Sequence, residues 1–143
     1  LTGADDDTWR ERLLSALRLD RVLDRRAGEL SGGFEKKLDL ALALLNRPPV
    51  VCLDEPMGDL DDVSKAKLLD LLVDYRDAGH AVVVSTHRLG AFADVLDHLT
   101  VLHDGAVLLD ERRRDIDLGD YDSIPDLYVA RTLAAERSPD DDI

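Results

Sequence analysis

The spacing of apolar residues in the first third of the chain predicts two helices. Apolar residues recur at helical intervals between Thr8 and Leu19, and the acidic run 5–7 ahead of them suits the positive end of a helix dipole. The segment 30–33 then interrupts the pattern with a serine and two glycines. A second, broadly apolar helix is predicted to follow and to end near Asn46, because prolines come soon after it.

Two unbroken apolar runs in the middle of the chain predict strands. The first covers residues 50–53 and leads into Asp54, and the second covers residues 81–84 and leads into Ser85. Runs of this kind are typical of strands that are covered on both faces in a parallel sheet. A third helix is predicted between them, from about Asp62 to a stop at Gly79. Strand, helix and strand in this order predict a βαβ unit.

The last third of the chain predicts a hairpin between two helices. A helix is predicted around Leu89–Leu96, and two short strands follow it. The strands are joined by Asp104-Gly105, a two-residue link that strongly favours a β-hairpin. A final short helix is predicted within residues 123–136, and residues 138–143 are expected to be frayed.

Composition narrows the class of protein. At 143 residues and 45% hydrophobic residues, the chain suits one compact domain with a core. No apolar run is long enough to span a membrane, and the N-terminus lacks the pattern of a secretion signal, so neither is expected. The single cysteine, Cys52, lies in the first apolar run and is expected to be a buried small side chain. A formal net charge of -13 argues against a nucleic-acid partner, because binding to a duplex depends on Lys and Arg.

The residues Ser31, Gly32 and Gly33 form the first candidate site. Two glycines and a serine at the start of a predicted helix expose backbone N–H groups that can bind an anion such as phosphate. The same residues also suit an ordinary loop and helix cap, because Ser is a good N-cap and Gly tolerates unusual backbone angles. The pattern alone leaves both interpretations open.

The second candidate site is acidic. Asp54 and Glu55 follow the first strand, and the carboxyl end of a parallel strand is where α/β sheets place ligands. Asp54 can hold a magnesium ion through water, and Glu55 can orient or deprotonate an attacking water, as phosphoryl transfer requires. His87 follows the second strand and is expected at the same edge, although a lone histidine is more often structural. The acidic segment 59–62 also suits a solvated turn and helix cap.

In this order, these segments resemble the motifs of the ATPase domain of ABC transporters, and the likeness covers nearly the whole chain. Residues 30–34, Leu-Ser-Gly-Gly-Phe, resemble the signature motif of that family. Residues 50–56, Val-Val-Cys-Leu-Asp-Glu-Pro, resemble its Walker B segment. Residues 58–61, Gly-Asp-Leu-Asp, resemble its D-loop, and Ser85-Thr86-His87 resembles its switch-histidine loop.

The resemblance implies a role for each candidate residue. Asp54 would serve a magnesium ion, Glu55 would be the general base, and His87 would contact the γ-phosphate of ATP. Asp61 would help to join two subunits. ATP and Mg²⁺ are therefore the expected cofactors. The γ-phosphate of the ATP held by the opposite subunit would be bound by Ser31, Gly32 and Gly33.

The sequence also departs from the family pattern. Phe34 stands where the signature usually has Gln, and Asp59 adds a charge where the D-loop begins with small residues. No lysine follows a glycine, so the chain contains no Walker A loop, and it contains no Gln and hence no Q-loop. We expect these parts to lie in a preceding portion or on another chain. Loss of the neighbouring strand would then expose an apolar sheet edge and favour a dimer or aggregation.

The resemblance implies an α/β fold class: a partial P-loop NTPase (RecA-like) core with parallel strands, a terminal β-hairpin and part of the ABC helical subdomain. All of it would belong to the C-terminal part of one ABC ATPase domain. Residues 1–46 would be a helical-subdomain remnant with the signature motif, residues 47–118 half of the catalytic core, and residues 119–143 a C-terminal helix and tail.

The leading interpretation of function is the ATP-binding and ATP-hydrolysing energy-coupling subunit of an ABC transporter. The segments 42–49 and 124–129 look most like exporter subunits, and the fragment alone is expected to be inactive. The implied partners are a second ABC ATPase subunit, in a homo- or heterodimer, and a membrane-spanning permease. The permease would place the chain in the cytoplasm, at the inner face of the cell membrane.

Two other functions remain open. A soluble ABC-type ATPase of chromosome maintenance or repair would share these motifs, but no heptad pattern lies near Leu30 and the acidic charge argues against DNA contact. A non-hydrolysing regulatory half-domain would need only the signature face. The presence of Asp54, Glu55 and His87 argues against it.

Overall fold

The computed structural model describes residues 3–136. The chain divides into two compact units, Leu1–His87 and Arg88–Ile143, and each is described by itself. The first unit contains the helices α1 (Gly3–Ala16), α2 (Gly32–Leu45) and α3 (Asp62–Asp77) and the strands β1 (Val50–Asp54) and β2 (Ala81–Ser85). The second unit contains the strands β3 (His98–His103) and β4 (Ala106–Arg112) and the helix α4 (Ile124–Glu136).

The first unit is built on a βαβ unit, as the sequence predicts. Strands β1 and β2 pair in parallel, with Val50 opposite Ala81 at one end and Asp54 opposite Ser85 at the other. Helix α3 connects them. It begins at its N-cap Asp61, whose side chain accepts a hydrogen bond from the backbone N–H of Ser64, and it ends before Gly79, whose φ of 94° terminates the helix.

The core of the first unit lies where α1, α2 and α3 meet. The indole N–H of Trp9 donates to the carbonyl oxygen of Leu44 at 2.9 Å and so joins α1 to the end of α2. Tyr75 on α3 packs beside Trp9, with 5.7 Å between the ring centres. The most deeply buried apolar side chains of this core are Leu13, Leu17, Leu44, Leu68 and Tyr75.

The sheet is covered on one face, and the expectation that Cys52 is buried is wrong. Val51 and Leu53 are buried, because α2 contacts β1 and α3 contacts β2 on their side of the sheet. On the opposite face Cys52 is exposed, and Val50 and Val83 are 57% and 55% exposed. An unbroken apolar run indicates that both faces suit burial, but within the described part of the first unit, residues 3–87, nothing covers the second face.

The second unit contains the predicted hairpin. Strands β3 and β4 pair antiparallel, with an irregular register between Val101 and Leu102. Asp104 and Gly105, which join them, have φ values of 46° and 78°, as a tight two-residue hairpin turn requires. Helix α4 confirms the predicted C-terminal helix, and residues 138–143 lie outside the described residues.

The predicted helix around Leu89–Leu96 does not form. The structure has a three-residue 3₁₀ helix at Leu89–Ala91, followed by turns. Gly90 lowers helix propensity by about 1 kcal/mol relative to alanine, and a segment this short cannot offset the cost of nucleating a helix. Leu89 and Leu96 still pack against a buried cluster of apolar residues, Ile116, Ile124 and Leu127.

Candidate functional site

The polar edge of the parallel sheet brings the acidic pair and the Ser-Thr-His segment together. Strand β1 ends at Asp54 and β2 ends at its partner Ser85, so the residues that follow both strands lie at one edge. The backbone N–H of Glu55 donates to the carbonyl oxygen of Ser85 at 2.9 Å and extends the pairing by one residue. The expectation that Asp54, Glu55 and His87 share this edge is therefore met.

Each of the two acids accepts a hydrogen bond from a different hydroxyl group of the segment 85–87. The hydroxyl of Ser85 donates to Oδ1 of Asp54 at 2.5 Å. The hydroxyl of Thr86 donates to Oε2 of Glu55 at 3.0 Å. Because each carboxylate has its own donor, the like-charge repulsion between adjacent acids is offset locally.

Glu55 also accepts two hydrogen bonds from His87. The backbone N–H of His87 donates to Oε1 of Glu55 at 2.7 Å, and Nδ1 of the His87 ring lies 2.7 Å from the same oxygen. Burial raises the pKa of Glu55, but the hydrogen bonds from His87 and Thr86 outweigh it, so this pKa lies below its usual value. Glu55 is therefore held as a carboxylate, which is the form that accepts a proton from water.

The backbone of Glu55 lies in an unusual conformation. Its φ is 43°, in the left-handed region that non-glycine residues rarely adopt. Such strain costs of order 1–3 kcal/mol and persists where surrounding contacts enforce it. Here the backbone bond to Ser85 and the side-chain bonds to Thr86 and His87 do so. The result is a carboxylate with a fixed position at the end of β1.

The donor set at this edge suits a magnesium ion shared with a phosphate rather than one enclosed by protein. Among residues 3–136 no group of three or more His, Cys, Asp or Glu side chains could hold a metal ion. Mg²⁺ is commonly bound through one or two carboxylates together with waters and substrate phosphates. The exposed carboxylate of Asp54 meets that need without a further protein ligand.

The segment Ser31–Gly33 lies at the N-terminus of α2. Ser31 is the N-cap, but its side chain makes no capping hydrogen bond. Its carbonyl oxygen accepts from the N–H groups of Phe34 and Glu35, whereas the first N–H groups of a helix have no partner within the helix. Ser31 and Gly32 are exposed. The hydroxyl and the first N–H groups are thus available to an anion, as the phosphate interpretation requires.

Asp61 lies at the N-terminus of α3 and is surrounded by donors. Its Oδ2 accepts from Nζ of Lys37 and from the hydroxyl of Ser64, both at 2.8 Å. Its Oδ1 accepts from the backbone N–H of Ser64 at 3.0 Å and from Arg18 at 3.4 Å. The hydrogen bonds from Lys37 and Ser64 hold the pKa of Asp61 well below its usual value.

Sequence reasoning did not single out Lys37, Ser64, Ser85 or Thr86 by themselves. One signal for Lys37 was present, because Leu40, Ala41 and Leu44 follow it at helical intervals on the buried stripe of α2. A lysine on such a stripe needs a buried partner. Ser64 lies three residues after an acidic N-cap, a spacing typical of capping.

Comparison with known proteins agrees with this geometry. Residues 3–58 match the sequence profile of the family described as ABC transporter. A solved ATP-binding subunit of an ABC transporter shares the fold with a TM-score of 0.78 and 29% identity, over 92% of this chain and 56% of that one. The chain belongs to the ABC transporter family. It corresponds to part of the ATP-binding cassette of that family and has its P-loop NTPase fold.

Two further ABC proteins show what share of such a protein this chain spans. The chain is 39% identical over 104 residues to the macrolide export ATP-binding/permease protein MacB of Brucella abortus (strain 2308), over 73% of this chain and 16% of MacB. A dimeric structure of a bacterial ABC transporter cassette is 32% identical, with a TM-score of 0.60, over 74% of this chain and 47% of the cassette. The present chain thus spans only part of these ABC proteins. Within residues 3–136 no helix is long and apolar enough to cross a membrane.

Proposed function

We propose that this chain supplies the signature and Walker B part of an ABC cassette that binds and hydrolyses ATP with magnesium to drive export. The observation that carries the proposal is the position of Glu55, held as a carboxylate at the carboxyl edge of the sheet by Thr86 and His87. Adjacent acids at this edge contribute little to the stability of the fold. A carboxylate in a fixed position there is suited to activating a water molecule.

Each residue of the edge has a separate task in this proposal. Glu55 orients the attacking water and accepts its proton, and Thr86 keeps the carboxylate in place through Oε2. The side chain of His87 is mostly exposed beside Oε1 of Glu55, and its proposed task is to bind the γ-phosphate. Asp54 would hold a magnesium ion, and Ser85 orients that carboxylate. A bound magnesium ion would neutralise the negative charge that develops on the phosphates.

The N-terminus of α2 would act on a second subunit. Ser31, Gly32 and Gly33 present an exposed hydroxyl and free backbone N–H groups, which suit the γ-phosphate of ATP held by the opposite subunit. The solved dimeric cassette supports a paired arrangement. The partner would be a second ABC ATPase subunit, identical or different. The assignment of residues 1–46, 47–118 and 119–143 to subdomains stays a prediction.

Export is the proposed direction of transport. MacB, 39% identical over 104 residues, is named as a macrolide export protein with ATP-binding and permease parts. A permease partner would hold the cassette at the inner face of the cell membrane. The 143 residues alone are expected to be inactive, because their sequence contains no Walker A loop to hold the nucleotide.

The test is the substitution Glu55→Gln in the complete gene product. Loss of a general base should lower kcat for ATP hydrolysis on the order of 10²- to 10⁴-fold, while ATP affinity stays within about twofold. Glu11→Gln, at an exposed position of α1, is the matched control and should leave kcat unchanged. An unchanged kcat in the Glu55→Gln protein would refute the proposed role.

A further inference from the structure

Lys37 is a buried lysine at the contact between α2 and α3. Only 6% of its surface is exposed. Its Nζ lies 2.8 Å from Oδ2 of Asp61 and 3.0 Å from the hydroxyl of Ser64, and 5.3 Å from the centre of the Phe34 ring. Desolvating an ammonium group is costly, so its position implies a specific pairing with these partners.

The carboxylate of Asp61 accepts four hydrogen bonds within its own chain. Oδ2 accepts hydrogen bonds from Lys37 and from the hydroxyl of Ser64. Oδ1 accepts hydrogen bonds from the backbone N–H of Ser64 and from Arg18. A carboxylate offers roughly four acceptor sites in all. The four hydrogen bonds of Asp61 therefore match that number and all lie within the subunit, although its side chain is 41% exposed.

The segment after β1 lies close to the start of α2 at two further points. A Cβ on Gly33 would lie 3.7 Å from the carbonyl oxygen of Asp59. A Cβ on Gly58 would lie 3.0 Å from Nζ of Lys36. The segment 58–61 and the N-terminus of α2 are therefore close together. Lys37 on α2 is paired with Asp61 at the end of that segment.

We propose that Lys37 is a positioning residue that joins the signature segment to the D-loop. Through Asp61 and Ser64 it fixes residues 58–61 against the N-terminus of α2, so that both segments meet the second subunit as one rigid surface. This inference rests on the proposed function, because it assumes that these segments face a second subunit. The alternative is that the contact between Lys37 and Asp61 only stabilises the fold. A buried ion pair is weak evidence for stability, because the cost of desolvation can exceed the attraction between the charges.

The experiment uses the complete gene product with Glu55→Gln, so that bound ATP is not consumed. Two quantities are measured: the affinity of the monomer for a fluorescent ATP analogue, and the ATP-dependent dimer dissociation constant by analytical ultracentrifugation. Lys37→Met should weaken dimerisation about tenfold and leave ATP affinity within about twofold, because coupled groups contribute energies of this order. Lys37→Arg keeps the charge and should restore dimerisation to within about threefold.

The matched control is Lys65→Met. Lys65 also pairs with an aspartate near the start of α3, Asp62, but the side chain of Asp62 is 97% exposed and both residues belong to α3. Its substitution should leave the dimer dissociation constant unchanged within about twofold. If Lys37→Met dimerises as well as Lys65→Met, the inference is wrong.

A milder variant covers the case in which Lys37→Met does not fold. Ser64→Ala removes one hydroxyl that links Lys37 and Asp61, and it should weaken dimerisation about threefold. An unchanged dimer would overturn the inference while leaving the proposed function intact. If the Glu55→Gln parent does not dimerise with ATP at all, the proposed function fails and the inference fails with it.

Discussion

Tyr75 ties α3 to the segment that enters β1. It is only 2% exposed, its hydroxyl donates to the carbonyl oxygen of Pro48 at 2.5 Å, and its ring stacks on His80 with 4.3 Å between centres. Burial raises the pKa of Tyr75, so the hydroxyl remains a donor well above neutral pH. Pro48 precedes β1, at the end of the strand opposite to Asp54.

We expect Tyr75→Phe to lower the free energy of unfolding by about 0.5–1.5 kcal/mol, the net value of one hydrogen bond. The loss stays small because Nδ1 of His80 lies 3.0 Å from the same carbonyl oxygen and can still donate to it. Tyr75→Ala also removes the ring and leaves a cavity in the core. That substitution should cost about 3–5 kcal/mol.

Urea denaturation followed by the fluorescence of Trp9, the only tryptophan, measures both losses. The control is Tyr121→Phe, at a side chain that is 42% exposed, and it should change stability by less than about 0.5 kcal/mol. A loss above about 3 kcal/mol for Tyr75→Phe would mean that the Pro48 carbonyl is left unsatisfied, and the reasoning from His80 would be wrong. Equal effects of both Tyr→Phe changes would also refute it.

Three other predictions follow from particular contacts. Thr86→Val should lower kcat of the complete protein about tenfold by freeing Glu55, whereas Thr86→Ser should keep most of it; equal rates for both would contradict the positioning role. The hydrogen bond from His98 lowers the pKa of Asp110 in the folded chain. The ionised Asp110 therefore contributes to stability above the usual pKa of 3.8, and this contribution is lost as the pH falls through the lower pKa of the folded state. Asp110→Asn should remove that part of the acid dependence in a pH series of thermal unfolding. Cys52 is exposed, so a thiol reagent should modify it in the native chain without unfolding. Protection of Cys52 in the native chain would show that something covers this face of the sheet.

Local sequence patterns were sufficient to predict most elements of the fold. The apolar runs at 50–53 and 81–84 predicted strands that the structure confirms, and Asp104-Gly105 predicted the hairpin because its backbone requirement is strictly local. The exposure of Cys52 could not be predicted from the local sequence pattern. Whether the second face of a sheet is covered depends on what packs on it, not on the composition of the strand.

The candidate site was predictable only in part. The positions of Asp54 and His87 follow from the rule that parallel strands end at one edge. The hydrogen bonds of Glu55 to Thr86 and His87 could not be predicted from the sequence, because they accompany a positive φ that no local pattern indicates for a glutamate. The fixed place of Asp61 likewise depends on Lys37, which is distant in sequence.

Magnesium-dependent binding and hydrolysis of ATP by these 143 residues, beside the complete gene product, tests the central claim most directly. The account predicts that the complete protein hydrolyses ATP through Glu55, and that the 143 residues alone bind none, because they contain no Walker A loop. ATP binding by the 143 residues alone would reveal a phosphate site that this account does not contain. A complete protein that binds ATP without hydrolysing it would contradict the role of Glu55.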